Sequence, residues 1–140
     1  MLGSLAYIFD EEYEKLQNSF PEDMTSFNKL LYLNCELFSI IEERIDIELL
    51  TRLYSTQLIT KGEKHLLDNK RLYYKLLKQI VSEGQKKGEL TNSMTANEIV
   101  KMYAMCERAL IYDWCLSNGE YSLCGYAKKM LPMFLSGICI

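Results

Sequence analysis

Apolar residues recur at helical spacing along almost the whole chain, and no segment shows the β-branched alternation between turn residues that marks a strand. The pattern predicts an all-α protein of six helices. The first spans Ser4 to Ser19, with Leu5, Ile8, Phe9 and Leu16 on one side, and Phe20-Pro21 stops it because proline disfavours helical geometry in the residue before it. A second starts near Thr25 or Ser26 and lines up Phe27, Leu30, Leu31, Phe38, Ile41 and Ile45; a third follows Asp46 and runs to about Ile59. The stretch Thr60 to Asp68 has no clean period and contains Gly62, so it reads as a loop. The fourth helix turns Leu72, Tyr73, Leu76, Leu77, Ile80 and Val81 inward and Arg71, Lys75, Lys78 and Gln79 outward. Lys86, Lys87 and Gly88 mark its end. Thr95-Ala96-Asn97-Glu98 fits a capping box that opens a fifth helix lasting to Asn118-Gly119. A sixth, Ser122 to Ser136, contains Pro132, which is expected to kink it or loosen its halves from each other.

The fifth helix carries two apolar stripes. Ile99, Tyr103, Cys106, Leu110 and Trp114 form one, and Met102, Met105, Ala109, Tyr112 and Leu116 form another about a quarter turn away. One stripe is enough for a surface helix, so two imply burial from two directions. The sixth helix is also broadly apolar. Self-association through this carboxy-terminal pair is the economical explanation, because soluble monomers rarely leave large apolar patches open.

Composition adds bounds. With 140 residues, 49% apolar, 25% charged, 7 glycines and 2 prolines, the chain is expected to form a single soluble domain, residues 1–140, with a real core. The net charge of −3 lacks the basic excess of a dedicated nucleic-acid binder. It is unevenly spread, with 3 basic and 11 acidic side chains in residues 1–48 and 13 and 8 in the remainder. The basic row Lys70, Arg71, Lys75, Lys78, Lys86 and Lys87 reads as a solvated helix face. Five cysteines without a C-x-x-C pair, and one histidine, His65, leave no zinc set and point to reduced thiols in a cytoplasmic protein. No apolar run reaches the roughly 20 residues of a membrane span, and no signal peptide is evident. Catalytic motifs are equally lacking: there is no G-x-S-x-G, H-E-x-x-H or glycine-rich phosphate loop, so neither enzyme chemistry nor a cofactor is expected.

The order of segments from residue 80 onward, IVSEGQKKGEL (80–90), the capped helix, RALIYDWCLSNGEYSL (108–123) and YAKKMLPMFLSGI (126–138), resembles the carboxy-terminal effector-binding and dimerisation domain of TetR-type bacterial transcriptional regulators. The helix, loop and tyrosine-bearing helix between Tyr54 and Tyr74 fit as well. The resemblance implies a homodimer in which the last two helices of each subunit form a four-helix bundle. It also implies a pocket for a small-molecule effector among the earlier helices. Such regulators begin with a three-helix DNA-binding unit that these residues do not supply, so DNA would be reached only through that missing unit. Glu11, Glu12 and Tyr13 lie on the helix that an effector would shift. A free-standing helical interaction module without a ligand is the alternative.

Candidate residues follow from polar or aromatic positions on inward faces. Asn34 interrupts the apolar stripe of the second helix, as a buried amide or a ligand contact. Glu107 falls inside the apolar arc of the fifth helix and needs a partner, either an internal Arg or Tyr or a cationic ligand. Tyr32, Tyr54, Tyr73 and Tyr103 are core aromatics that could line a cavity. For the dimer interface the candidates are Met105, Tyr112, Trp114, Leu123, Tyr126, Met130 and Phe134, with Asp113 accepting a local hydrogen bond. Cys106 and Cys115, nine residues apart on one helix, point to opposite faces, so a joint metal or redox site with Cys124 is not expected.

Overall fold

A computed structural model of the chain describes residues 2–68 and 71–140, without the side chains of residues 2–7 and His65. Expectations for Leu5, His65 and Lys70 therefore lie outside the described residues. Among the described residues there are six α-helices and no strand: α1 (Leu2–Gln17), α2 (Ser26–Arg44), α3 (Ile47–Ile59), α4 (Leu72–Lys86), α5 (Ala96–Leu116) and α6 (Leu123–Phe134). Short 3-10 turns follow at His65–Leu67 and Ser136–Ile138.

Local chemistry sets most of the helix starts. Thr25 Oγ1 accepts the Asn28 amide at 3.2 Å to open α2, and Asp46 accepts the Glu48 amide at 3.2 Å to open α3. The Thr95–Glu98 box is reciprocal, with Thr95 Oγ1 accepting from the Glu98 amide at 3.1 Å and Glu98 Oε1 from the Thr95 amide at 2.9 Å. Ser122 Oγ takes the Gly125 amide at 3.0 Å to cap α6. Gly88 ends α4 in the left-handed conformation, φ 75°, as its position after Lys86 and Lys87 predicts.

Helix α2 packs against α6 and α4, α4 against α5 and α1, and α3 against α5. The resulting core draws on all six helices, from Tyr13 and Leu16 through Leu30, Phe38, Leu50, Leu77, Ile99 and Leu110 to Leu131. At one point two helices approach so closely that only glycine fits. A Cβ on Gly84 of α4 would stand 2.7 Å from Cβ of Ser26 and 2.8 Å from the Leu90 side chain. Beside it Glu89 Oε1 accepts the Ser26 amide at 2.9 Å, supplying an acceptor to the start of α2 from the turn after α4. That bond holds the Glu89 carboxyl below its usual range.

Boundaries differ where local geometry overrides the pattern. Helix α5 stops at Leu116 because Asn118 and Gly119 both turn to positive φ, 56° and 76°. Helix α6 ends at Phe134 rather than Ser136, giving way to the 3-10 turn. Pro132 therefore sits in the last turn and does not divide the helix; the Leu135 amide still reaches the Leu131 carbonyl at 3.0 Å. The loop from Thr60 to Asp68 contains the 3-10 turn that its short length hid.

Candidate functional site

Glu107, on the inward side of α5, is 3% exposed. Its Oε2 accepts a hydrogen bond from Asn34 Nδ2 on α2 at 2.8 Å, and its Oε1 accepts one from the Tyr73 hydroxyl on α4. Three helices are thus pinned to one carboxylate. Tyr103, one turn earlier on α5, lies beside it and donates to the Leu30 carbonyl at 2.8 Å. The partner of Glu107 is internal, an amide and a phenol.

Burial pushes the Glu107 carboxyl above its usual range, against the pull of the hydrogen bonds from Asn34 and Tyr73. Burial first, and then the Glu107 charge, raise the phenols of Tyr13, Tyr73 and Tyr103 well above the tyrosine range, so each keeps its proton and remains a donor.

A cavity of about 60 Å³ opens beside this cluster. Phe9 and Tyr13 of α1, Leu50, Leu53 and Tyr54 of α3, Tyr73 and Tyr74 of α4 and Glu107 and Arg108 of α5 contribute to its wall, with Leu66 of the 3-10 turn and Arg71. Of the expected pocket residues, Tyr54, Tyr73 and Glu107 line it. Asn34 and Tyr103 stand behind, holding Glu107 and the backbone of α2. Tyr32 packs its ring edge-on to Phe20 with centroids 5.8 Å apart and does not line the cavity.

Arg71 corrects the outward reading of its position. As the N-cap of α4 it has extended backbone, φ −61° and ψ 145°, so the phase of the helix does not govern its side chain. Its guanidinium lies over the rings of Tyr73 and Tyr74, 5.2 and 5.7 Å from the centroids, and its buried Nε has no hydrogen-bond partner among the described residues. Arg108 donates to the Tyr74 hydroxyl at 3.1 Å, and that hydroxyl donates to the Leu66 carbonyl at 2.6 Å. The Leu66 amide in turn donates to Gln57 Oε1 at 3.1 Å. Tyr54, Leu66 and Arg108 separate the cavity from an outer groove of about 560 Å³ between α3, the 3-10 turn and α5.

The face expected to meet a second subunit divides in two. Trp114 and Leu123 are covered by their own chain: Trp114 is 7% exposed and donates Nε1–H to the Tyr121 carbonyl at 2.8 Å, and Leu123 is fully buried. Trp114 belongs to the inner stripe of α5, and both side chains are part of the chain's own core. Asp113 accepts from the Tyr121 hydroxyl at 2.8 Å. Met105, Tyr112, Tyr126 and Phe134 are exposed by 43 to 53%, and Met130 is half-buried. Leu116 and Met133 are both 67% exposed; of the outer stripe of α5, Met102 is half-buried against the core, while Met105, Ala109, Tyr112 and Leu116 are exposed among the described residues. Leu58 and Ile59 of α3, which the sequence pattern did not single out, are also exposed.

Among the described residues no helix is long and apolar enough to cross a membrane. Comparison with curated proteins finds no match, and comparison with solved structures finds none. A family model does match: that of the YsiA-like protein, C-terminal region, over residues 9–137. That span takes in the wall of the cavity and the exposed stripes of α5 and α6, and the chain accordingly belongs to the TetR family of regulators, as a carboxy-terminal domain of the YsiA-like kind.

Proposed function

We propose that these residues form the effector-sensing and dimerisation core of a cytoplasmic TetR-type transcriptional regulator, which binds a small molecule among α1, α3, α4 and α5 and pairs through α5 and α6. It would control a DNA-reading unit that these residues do not contain. The observation that carries the sensing role is the cavity beside Glu107, because α1 forms part of its wall through Phe9 and Tyr13. An occupant that favours one position of α1 over another shifts a two-state equilibrium by its differential affinity.

At about 60 Å³ the cavity holds only water-sized groups, whereas small-molecule sites usually span roughly 300–1,000 Å³. Displacement of Leu66 and Tyr54 would join it to the outer groove and reach that range. The groove shares Met105, Ala109 and Tyr112 with the uncovered stripe of α5, so a partner subunit seated on that stripe would roof its edge. The wall is largely apolar. Its unmet polar atom is a donor, Arg71 Nε, with Arg108 nearby, while the Glu107 oxygens are already engaged. An apolar effector bearing an acidic group matches that lining.

Thermal unfolding against a panel of apolar carboxylic acids and their neutral amides tests this reading, since a ligand that binds only the folded state raises the melting temperature. An acid is expected to raise it in the wild type and to do so less in Arg71→Gln. Equal shifts from acid and amide would refute the acidic group, and no shift across the panel would favour an interaction module without a ligand.

A further inference from the structure

Cys35 and Cys124 are 89 residues apart in sequence, yet α2 and α6 bring their sulfurs to 3.6 Å. Neither lines the cavity. Cys124 Sγ also lies 3.5 Å from Ser39 Oγ and 3.8 Å from the Cys35 carbonyl, and the Cys124 amide donates to Glu42 Oε1 at 2.6 Å. Both thiols are half-buried, so a small oxidant reaches them while their two helices stay packed. Two sulfurs at this distance are in van der Waals contact, and a covalent bond at about 2.05 Å asks them to approach by roughly 1.5 Å.

We propose that Cys35 and Cys124 are a reversible dithiol–disulfide pair, closed by hydrogen peroxide, that ties α2 to α6. One sulfur, as thiolate, attacks a peroxide oxygen; the S–O bond forms, the O–O bond breaks and the departing hydroxide leaves as water once protonated. The other sulfur attacks the resulting sulfenic acid at sulfur, forming the S–S bond and releasing a second water. Two thiols and one peroxide thus give one disulfide and two waters, with both sulfurs oxidised and both peroxide oxygens reduced. Burial first, and then the hydrogen bond to Cys124, raise the Cys35 thiol above its usual range, with Lys128, one turn beyond Cys124, pulling the other way. The reaction is therefore slower than at an exposed, activated cysteine, and the close pairing directs its product to the disulfide.

The inference does not depend on the effector reading, but it touches the same framework. Asn34, next to Cys35, holds Glu107, and α6 carries Tyr126 and Met133 of the uncovered apolar surface. Closing the bond joins α2, which lines the cavity through Leu37 and Ile41, to a helix of that surface.

The test treats the folded full chain with equimolar peroxide, blocks the remaining thiols with an alkylating reagent and maps non-reduced peptides by mass spectrometry. The expected result is loss of two of the five free thiols, a cross-linked peptide joining α2 to α6, and recovery of both thiols with dithiothreitol. Cys35→Ser and Cys124→Ser are each expected to abolish that peptide. Five alkylated thiols, oxidation that stops at a single cysteine, or disulfides formed only through exposed Cys139 would each overturn the proposal; the wild-type map decides even if a variant folds poorly.

Discussion

Glu107 concentrates the energetics of the interior at one side chain. Removing a donor from a buried carboxylate leaves charge with less compensation, so Asn34→Ala is expected to cost about 1.5–3 kcal/mol in urea unfolding. The pH dependence has a definite sign. Because the folded-state pKa of Glu107 is raised, the folded chain binds the proton more tightly than the unfolded one. Its contribution is complete below the unfolded carboxyl value and is lost as pH rises through the folded value. Subtracting the stability–pH curve of Glu107→Gln from that of the wild type should leave a component that falls over that window, and a component that rises there would contradict the assignment. The carboxylate was legible in the sequence because it interrupts an apolar arc. A tyrosine was among the partners it called for, and Tyr73 is one; Asn34 was not foreseen as a partner, since it is 73 residues away and only the packing of the helices brings the two together. Arg71 was misread for a different reason: a helix wheel assigns direction only to residues with helical backbone. The Cys35–Cys124 pair left no sequence signal either, being a contact between two helices far apart in the chain.

Among the elements, α4 depends on two glycines for different reasons. Gly84 lacks space for a Cβ, while Gly88 has open space but a φ of 75°. Gly84→Ala forces α4 away from Ser26 and Leu90 and is expected to cost about 1–3 kcal/mol through overpacking. Gly88→Ala is expected to cost about 1–2 kcal/mol through left-handed strain alone. Denaturant unfolding reads both, and a neutral Gly84→Ala would show that the contact with α2 is looser than described. Helices α2, α4 and α5 were legible because periodicity and end signals agree, as at the Thr95–Glu98 box. The 3-10 turn at His65–Leu67 was not, because three residues carry no period; it is fixed at Leu66, whose amide donates to Gln57 and whose carbonyl accepts from Tyr74. The end of α6 was overextended because apolar spacing continues through Leu135 and Ile138, which the core buries outside the helix.

For the whole molecule, the two stripes of α5 have different destinations. The inner stripe is consumed by the chain's own core through Tyr103, Leu110 and Trp114, and the outer one leaves Met105, Tyr112 and Leu116 in solvent, with Met105 sharing a groove with Phe134 of α6. Exposed apolar side chains on these two helices are what the proposed subunit interface requires. The sequence pattern showed that two directions of burial were needed without showing which residues the core itself would use. Trp114 and Leu123, which the pattern offers to the interface, are buried by their own chain. Truncating α6 would not isolate the interface, because Leu123, Ala127 and Leu131 support the core. Paired charges at exposed positions do isolate it. The most direct measurement is sedimentation equilibrium of the wild type and of Leu116→Glu/Met133→Glu at micromolar concentration. The wild type is expected at twice the chain mass and the variant as a folded monomer; a wild type that stays monomeric, or a variant that stays dimeric, would rule out pairing through α5 and α6.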